Sequence, residues 1–386
     1  MFDFDTPVDR HGYYSSKWDI KEGELPMWVA DMDFRTSPDI IEAIIKRAQH
    51  GVFGYTDIPD EWYDAYISHW QKRHNVTLKK EGLVYSAGVV PTISSAVRKL
   101  TTAGENIVLM TPVYNIFFNS VKNNGRNVLE APLVYEQGRY HIDFDDLERK
   151  LSDKQTSMLL LCNPQNPGGI IWNREELARI GELAYDNGVT VICDEVHCDL
   201  TYPEKEYVPF ISVSEKCRQC SITCIAPTKA FNIAGIQTSA AYSENRRLRH
   251  KIWRALNTDE VGEPNVFAVN ATIAAFEKGA PWLDELRDYI YQSALFAKKY
   301  IEENIPMLSL YPSEATYLLW IDCSKLDCES INIAKKIRSL TGLFLSDGNI
   351  YGGNGQSFVR MNIACPRSYV IDGLERLSKA VRLMAK

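Results

Sequence analysis

Three polar residues of this 386-residue chain stand where short apolar runs end: Lys229, Asp194 and Asn166. Lys229 follows the run Ile222–Ile225 within Ala-Pro-Thr-Lys-Ala-Phe-Asn-Ile-Ala-Gly (226–235). Apolar Phe231 and Ile233 lie close behind it, so the amine is poorly solvated. Desolvation disfavours the ammonium form, and a neutral amine is what attack on a carbonyl requires. The competing reading is an ordinary surface lysine, since Lys is almost never fully buried. Asp194 closes the run Val189–Cys193, and Asn166 lies in Cys-Asn-Pro-Gln-Asn-Pro-Gly-Gly (162–169), after Met158–Leu161.

The elements around them explain how they meet. Met158–Leu161 and Val189–Cys193 read as strands, separated by a helix capped at Asn173, with Leu177, Ile180, Leu183 and Ala184 on one face and Gly188 beyond its end. Strand, helix, strand at this spacing is a βαβ unit with parallel strands. Ile222–Ile225 is a third buried strand of the same type. Open α/β sheets bind ligands beyond the carboxyl ends of their strands, which here carry all three polar residues. A carboxylate, a carboxamide and an amine suit a flat pyridine aldehyde: Asp194 keeps a ring nitrogen protonated, Asn166 donates to a phenolate oxygen, and Lys229 forms an imine. Against this stand a plain Asp194–Lys229 ion pair and an Asn-Pro turn without further role.

Further candidates flank this set. Leu83–Ser95 reads strand, glycine turn, helix; a helix N-terminus preceded by Gly88 favours a phosphate, although an empty strand-to-helix turn is the alternative. Tyr114 follows the strand Ile107–Met110 and is either a stacking ring or a half-buried aromatic with a wet hydroxyl. Arg360, mid-strand in Phe358–Ile363, must meet an anion, either a ligand or an internal acid. Cys217, Cys220 and Cys224, with Cys193, His197 and Cys198, outline a zinc site with incomplete spacing, so no structural metal is expected. The turn 347–355 lacks the Lys-Ser or Lys-Thr of a phosphate loop and reads as a border of the entrance.

Composition narrows the function classes. A net charge of −7 argues against direct nucleic-acid binding. The N-terminus has no basic and apolar leader, no stretch is long enough to span a membrane, and nine cysteines, an odd number, fit reduced thiols, so a cytoplasmic protein is expected. Residues 1–36 read as an arm over other surfaces; Ser37-Pro38 starts a helix with Ser37 as hydroxyl cap and Ile40, Ile41, Ile44 and Ile45 inward. A second helix runs from about Pro59 to Arg73 through Trp62, Tyr66 and Trp70. Beyond Leu283–Asn304, a long helix, strands Thr316–Ile321 and Phe358–Ile363 alternate with helices Ser330–Ser339 and Val370–Leu383, the last burying Ile371, Leu374, Leu377 and Val381.

The segments 163–169, Asp-Glu-Val-His-Cys-Asp-Leu (194–200), 226–235 and Phe-Val-Arg-Met-Asn-Ile-Ala-Cys-Pro-Arg (358–367) resemble the class I and II aminotransferase superfamily of fold type I pyridoxal phosphate enzymes. Trp-Val-Ala-Asp-Met-Asp-Phe (28–34), Phe53-Gly-Tyr55 and Gly-Ala-Pro-Trp-Leu (279–283) are similar to its bacterial cystathionine β-lyase and cysteine desulfhydrase branch. The resemblance spans essentially the whole chain. It implies an α/β fold with a mainly parallel large domain (51–284), a smaller α+β domain (285–386) and an N-terminal arm contributing to the latter (1–50). It implies pyridoxal 5'-phosphate as cofactor, Lys229 as the Schiff-base lysine, Asp194 at the pyridine nitrogen, Asn166 at the phenolate oxygen and Tyr114 on the ring. Gly88, Val89 and Thr228 would hold the phosphate with Tyr55 of a second subunit in a homodimer, while Arg360, Val29 and Ala30 would take the substrate. Ala226 departs from the phosphate-binding serine of many aminotransferases, and His197 stands where they carry a tyrosine near the cofactor oxygen, which makes it a cofactor-binding residue or, alternatively, a packed, hydrogen-bonded histidine. The implied activity is β-elimination from sulfur amino acids; an aminotransferase and a fold-retaining regulatory protein are the alternatives.

Overall fold

Apolar runs such as Met158–Cys162 and Val191–Cys193 have no polar face, so their strands must be covered on both sides. The computed structural model, which describes residues 2–326 and 330–384, shows how. Seven strands, β1 (Leu83–Ser86), β2 (Asn106–Leu109), β3 (Asn127–Glu130), β4 (Thr156–Cys162), β5 (Thr190–Asp194), β6 (Ser221–Ile225) and β7 (Ser239–Tyr242), form one sheet in the order β1-β7-β6-β5-β4-β2-β3. Only β7 runs antiparallel to its neighbours. Alternation then divides the side chains between two cores: Leu159, Leu161, Val191 and Cys193 enter one, and Met158, Leu160, Ile192 and Ile222 the other. Each such buried aliphatic side chain is worth roughly 1.5–3 kcal/mol.

Helix Arg174–Asp186 covers the first face through Leu177, Ile180, Leu183 and Ala184, and its capping box at Asn173 is present in full. Helices Val89–Leu100 and Arg246–Thr258 cover the second. Gly181 lets helix Arg174–Asp186 approach helix Glu215–Cys220 closely, because a Cβ there would stand 2.2 Å from the Cys217 sulfur. That cysteine and the other seven described are free and buried; Cys328 lies outside the described residues.

A second, antiparallel sheet contains β8 (Ser309–Leu310), β9 (Leu318–Asp322), β10 (Ser346–Asp347) and β11 (Phe358–Asn362), in the order β8-β9-β11-β10. The N-terminal arm joins this region: Leu25–Pro26 pairs in parallel with Leu343–Phe344. Beyond it, Asn362 N–H donates to Met27 O at 2.8 Å. Asp33 fixes the arm, accepting from Lys17 Nζ and Arg10 Nη1, each at 2.7 Å, and from Trp18 Nε1 at 2.9 Å.

Some local expectations shift. Helix Pro38–Gln49 starts with proline, but Ser37 makes no side-chain cap and lies buried, and of the four isoleucines only Ile40 is buried while Ile45 is exposed. The closing helix Arg367–Met384 buries Val370 with Leu374, Leu377 and Val381, leaving Ile371 at the surface. Two isoleucines in succession cannot both face inward at 100° per residue, and the neighbouring packing selects one. The turn 347–355 contains the 3₁₀ segment Gly348–Tyr351, with Tyr351 fully buried, and leads into a second, Gly355–Ser357.

Candidate functional site

Register aligns the strand ends. Cys162 lies opposite Asp194 and Asp194 opposite Cys224, so the exits of β4, β5 and β6 stand level. From β4 the chain turns through cis Asn163–Pro164 and Asn166–Pro167 to Gly169 at φ +66°, where a Cβ would meet Ala315 O at 2.4 Å. This turn carries Asn166, which is buried, and the 310–315 segment braces it from behind.

Arg360, mid-strand in β11, reaches it from the other sheet. Its Nη1 donates to Asn166 Oδ1 at 2.9 Å and its Nη2 to Trp28 O at 2.9 Å. Its Nε has no partner, and the guanidinium lies 5.0 Å from the Tyr351 ring. Among the described residues no carboxylate pairs with it, so the internal acid considered from sequence is not there.

Asp194 is buried at the end of β5, accepting from Val196 N–H at 3.2 Å. Burial pushes its carboxyl up to about 6, against the pull of that N–H and of Lys229. Lys229 donates to Ala30 O at 2.7 Å instead of forming an ion pair with Asp194. Burial lowers its amine below the ordinary lysine value, with Arg360 adding to the effect and Asp31 and Asp194 opposing it. His197 is buried with Nδ1 unpartnered, and burial followed by the charges of Lys229 and Arg360 pushes its ring down to about 3. Tyr114 is partly buried; burial and then Asp194 raise its phenol to about 12. The Arg360–Asn166 and Lys229–Ala30 hydrogen bonds bring these elements together at the junction of the two sheets.

Helix Val89–Leu100 opens at Gly88 with no side-chain cap, leaving N–H groups of its first turn for an anion. The residue preceding Lys229, Thr228, is partly buried. Tyr55 does not reach the site of its own chain: it is fully exposed, on a segment where Val52 and Phe53 are exposed too.

Sequence reasoning missed several contributors. Tyr317 is buried and donates to Ala30 O at 3.0 Å; its ring lies 6.1 Å from that of His197. Asn362 Nδ2 donates to Asp31 O at 2.6 Å and to Val29 O. Asn232, at φ 52°, accepts from Met32 N–H at 3.0 Å and donates to Phe34 O at 2.8 Å. Together they hold Val29 and Ala30 as a backbone wall. The cysteines considered for zinc are divided among separate cores: Cys193, Cys217 and Cys220 in one layer of the large sheet, Cys224 in the other and Cys198 in a third cluster.

Comparison with known proteins agrees with this architecture. The family described as aminotransferase class I and II matches residues 25–377. Cystathionine beta-lyase PatB of Bacillus subtilis (strain 168) is 40% identical over 385 residues, covering 98% of this chain and 99% of its own. Cystalysin from Treponema denticola, whose structure contains a pyridoxal 5'-phosphate cofactor, superposes with a TM-score of 0.95 at 32% identity, over 99% of each chain. The PLP-bound C-S lyase from Staphylococcus hominis gives 0.91 at 32% identity, over 98% of this chain and 99% of that one.

Proposed function

This chain belongs to the aminotransferase class I and II family, and on that premise we propose that it is a pyridoxal 5'-phosphate-dependent carbon-sulfur β-lyase acting on L-cystathionine or L-cysteine-type substrates. The carrying observation is Arg360, a buried guanidinium whose free Nε and neutral partners make it a receptor for an α-carboxylate. The carbon-sulfur specificity rests on the lyases to which the chain is similar.

The residues fit the cofactor. An uncapped helix N-terminus at Gly88 and Val89 suits its phosphate, with Thr228 beside it. Asp194, buried without an ion-pair partner among the described residues, suits a protonated ring nitrogen, and Tyr114 suits the ring face. Asn166 spends its carbonyl oxygen on Arg360, which leaves Nδ2 to donate to the ring oxygen. Unpartnered His197 Nδ1 is a further polar contact.

When bound, pyridoxal phosphate supplies the electron sink that makes an amino-acid Cα–H acidic. Lys229 would hold the cofactor at its aldehyde carbon, and its amine, once free, would take the substrate's Cα proton, for which its lowered basicity suits it. Arg360 fixes the carboxylate, with the Val29 and Ala30 carbonyls closing the wall beside it. The Cβ–S electron pair leaves with sulfur as thiolate, a Cα=Cβ double bond forms, and hydrolysis of the released unsaturated amine gives pyruvate and ammonia. A thiolate leaves readily, so expulsion outruns the reprotonation that transamination needs.

The active unit is a homodimer. Tyr55, exposed beside Val52 and Phe53, crosses to the partner's phosphate cradle, and an exposed apolar run of this kind is what an interface covers. The test is thiol release from L-cystathionine by wild type and Lys229→Ala. Sustained release by wild type, lost in a variant that stays folded, supports the reading; equal release by both overturns it.

A further inference from the structure

Helix Arg246–Thr258 contradicts the charge balance of the rest of the molecule. In a chain of net charge −7 it carries Arg246, Arg247, Arg249, Lys251 and Arg254 and no acidic residue. Its apolar face, Ile252, Ala255 and Leu256, is spent on the sheet. Among the described residues none of these five cations forms an ion pair or a side-chain hydrogen bond, although Lys79, Arg98, Arg218 and other surface cations nearby are paired. Like charges packed at this density repel one another, and an unneutralised run in an acidic protein is a sink for anions.

The run borders a groove of about 560 Å³ lined by Tyr63, Lys80, Arg246, Arg249, His250 and Trp253, within the size range of small-molecule sites. Two aromatic rings accompany its cations. Trp253 is 45% exposed, an unusual state for so large a ring, with the Arg254 guanidinium 5.8 Å and the His250 ring 6.0 Å away. Lys80 Nζ lies 5.2 Å from the Tyr63 ring while pairing with Asp60 at 2.7 Å. Glu81 is the one acid on the lining. Arg246 and Arg249 without counter-ions beside the exposed Trp253 ring match a ligand with several negative charges on one end and a flat ring on the other. The groove floor includes Leu83 and Val84 of β1, which leads into Gly88, and the turn after the helix accepts Ala87 N–H at Val261 O, 2.9 Å.

We propose that this groove is a binding site for a nucleoside polyphosphate, with Arg246 and Arg249 on the phosphates and Trp253 against the base. The proposal stands apart from the lyase reading, and the cofactor-loaded protein is used so that the phosphate cradle at Gly88 is already filled. Isothermal titration compares ATP with adenosine and inorganic tripolyphosphate at fixed ionic strength. ATP binds saturably and at least tenfold more tightly than either half alone. The double substitution Arg246→Glu/Arg249→Glu weakens ATP at least tenfold while the cofactor absorbance stays unchanged, and Trp253→Leu brings ATP down to the affinity of tripolyphosphate. No saturable ATP binding, equal binding of ATP and tripolyphosphate by wild type, or undiminished binding by the double variant overturns it. So does an oligonucleotide that binds far more tightly than ATP.

Discussion

Arg360 and Asn166 are joined by a 2.9 Å hydrogen bond that crosses from the small antiparallel sheet to the turn after β4. In the proposed reading, this one contact would set both the anion receptor and the direction in which the Asn166 amide donates. Arg360→Lys keeps the charge but loses the fork. We expect it to lower kcat/KM for L-cystathionine by roughly 10²-fold, about 2.7 kcal/mol, chiefly through KM. Asn166→Ala is expected to lose activity similarly and also to shift the cofactor absorbance. Steady-state kinetics with unchanged KM for Arg360→Lys would contradict the assignment.

Tyr55 gives a complementation test. Tyr55→Ala and Lys229→Ala homodimers are each expected to be weak, the first in cofactor retention and the second in chemistry. Refolded together at equal amounts, they form hybrids in which one site has both residues intact, restoring about a quarter of wild-type activity by random pairing. Absence of any recovery in a mixture shown to exchange subunits would remove Tyr55 from the partner's site.

Glu195 is fully buried beside Asp194, its Oε1 accepting from Phe210 N–H at 2.9 Å, and burial pushes its carboxyl from 4.5 to about 7. A raised carboxyl binds its proton more tightly folded than unfolded, so its contribution is present below pH 4.5 and is lost as pH rises toward 7. Glu195→Gln removes that dependence. The melting temperature of the variant relative to wild type is expected to climb between pH 4.5 and 8; a constant difference would contradict the burial argument.

Gly181→Ala puts a methyl against Cys217 Sγ. Overpacking of this kind is expected to cost roughly 1–3 kcal/mol in urea unfolding. Gly181→Ala/Cys217→Ser should not recover fully, because serine still places an oxygen in the direction of the Cys217 sulfur that the added methyl meets at 2.2 Å. A single variant as stable as wild type would mean that the helix shifts freely on its neighbour.

The strand ends were legible in the sequence because their signals are local: an apolar run, then a polar residue. Parallel register did the rest, setting Cys162, Asp194 and Cys224 in one row. The wall at Val29 and Ala30 was harder to read. It acts through backbone carbonyls, held by Asn362, Tyr317 and Lys229 from distant parts of the chain, on a segment without periodicity. Its anchor, Asp33 with Arg10 and Lys17, looks in sequence like scattered surface charge. Ile371 and Ser37 failed for another reason, since propensity fixes a helix and its start but packing decides which of two adjacent residues turns inward. The Arg246–Arg254 run was hidden by counting charge over the whole chain.

The central claim is elimination in place of amino-group transfer, and one measurement addresses it directly. Cofactor-loaded wild-type protein receives L-cystathionine in excess with no oxo acid present, and pyruvate and free thiol are followed together. Elimination predicts sustained formation of both in equal amounts over many turnovers. A single burst of one product per site, stalling with the cofactor in its pyridoxamine form until an oxo acid is added, would contradict it and identify an aminotransferase.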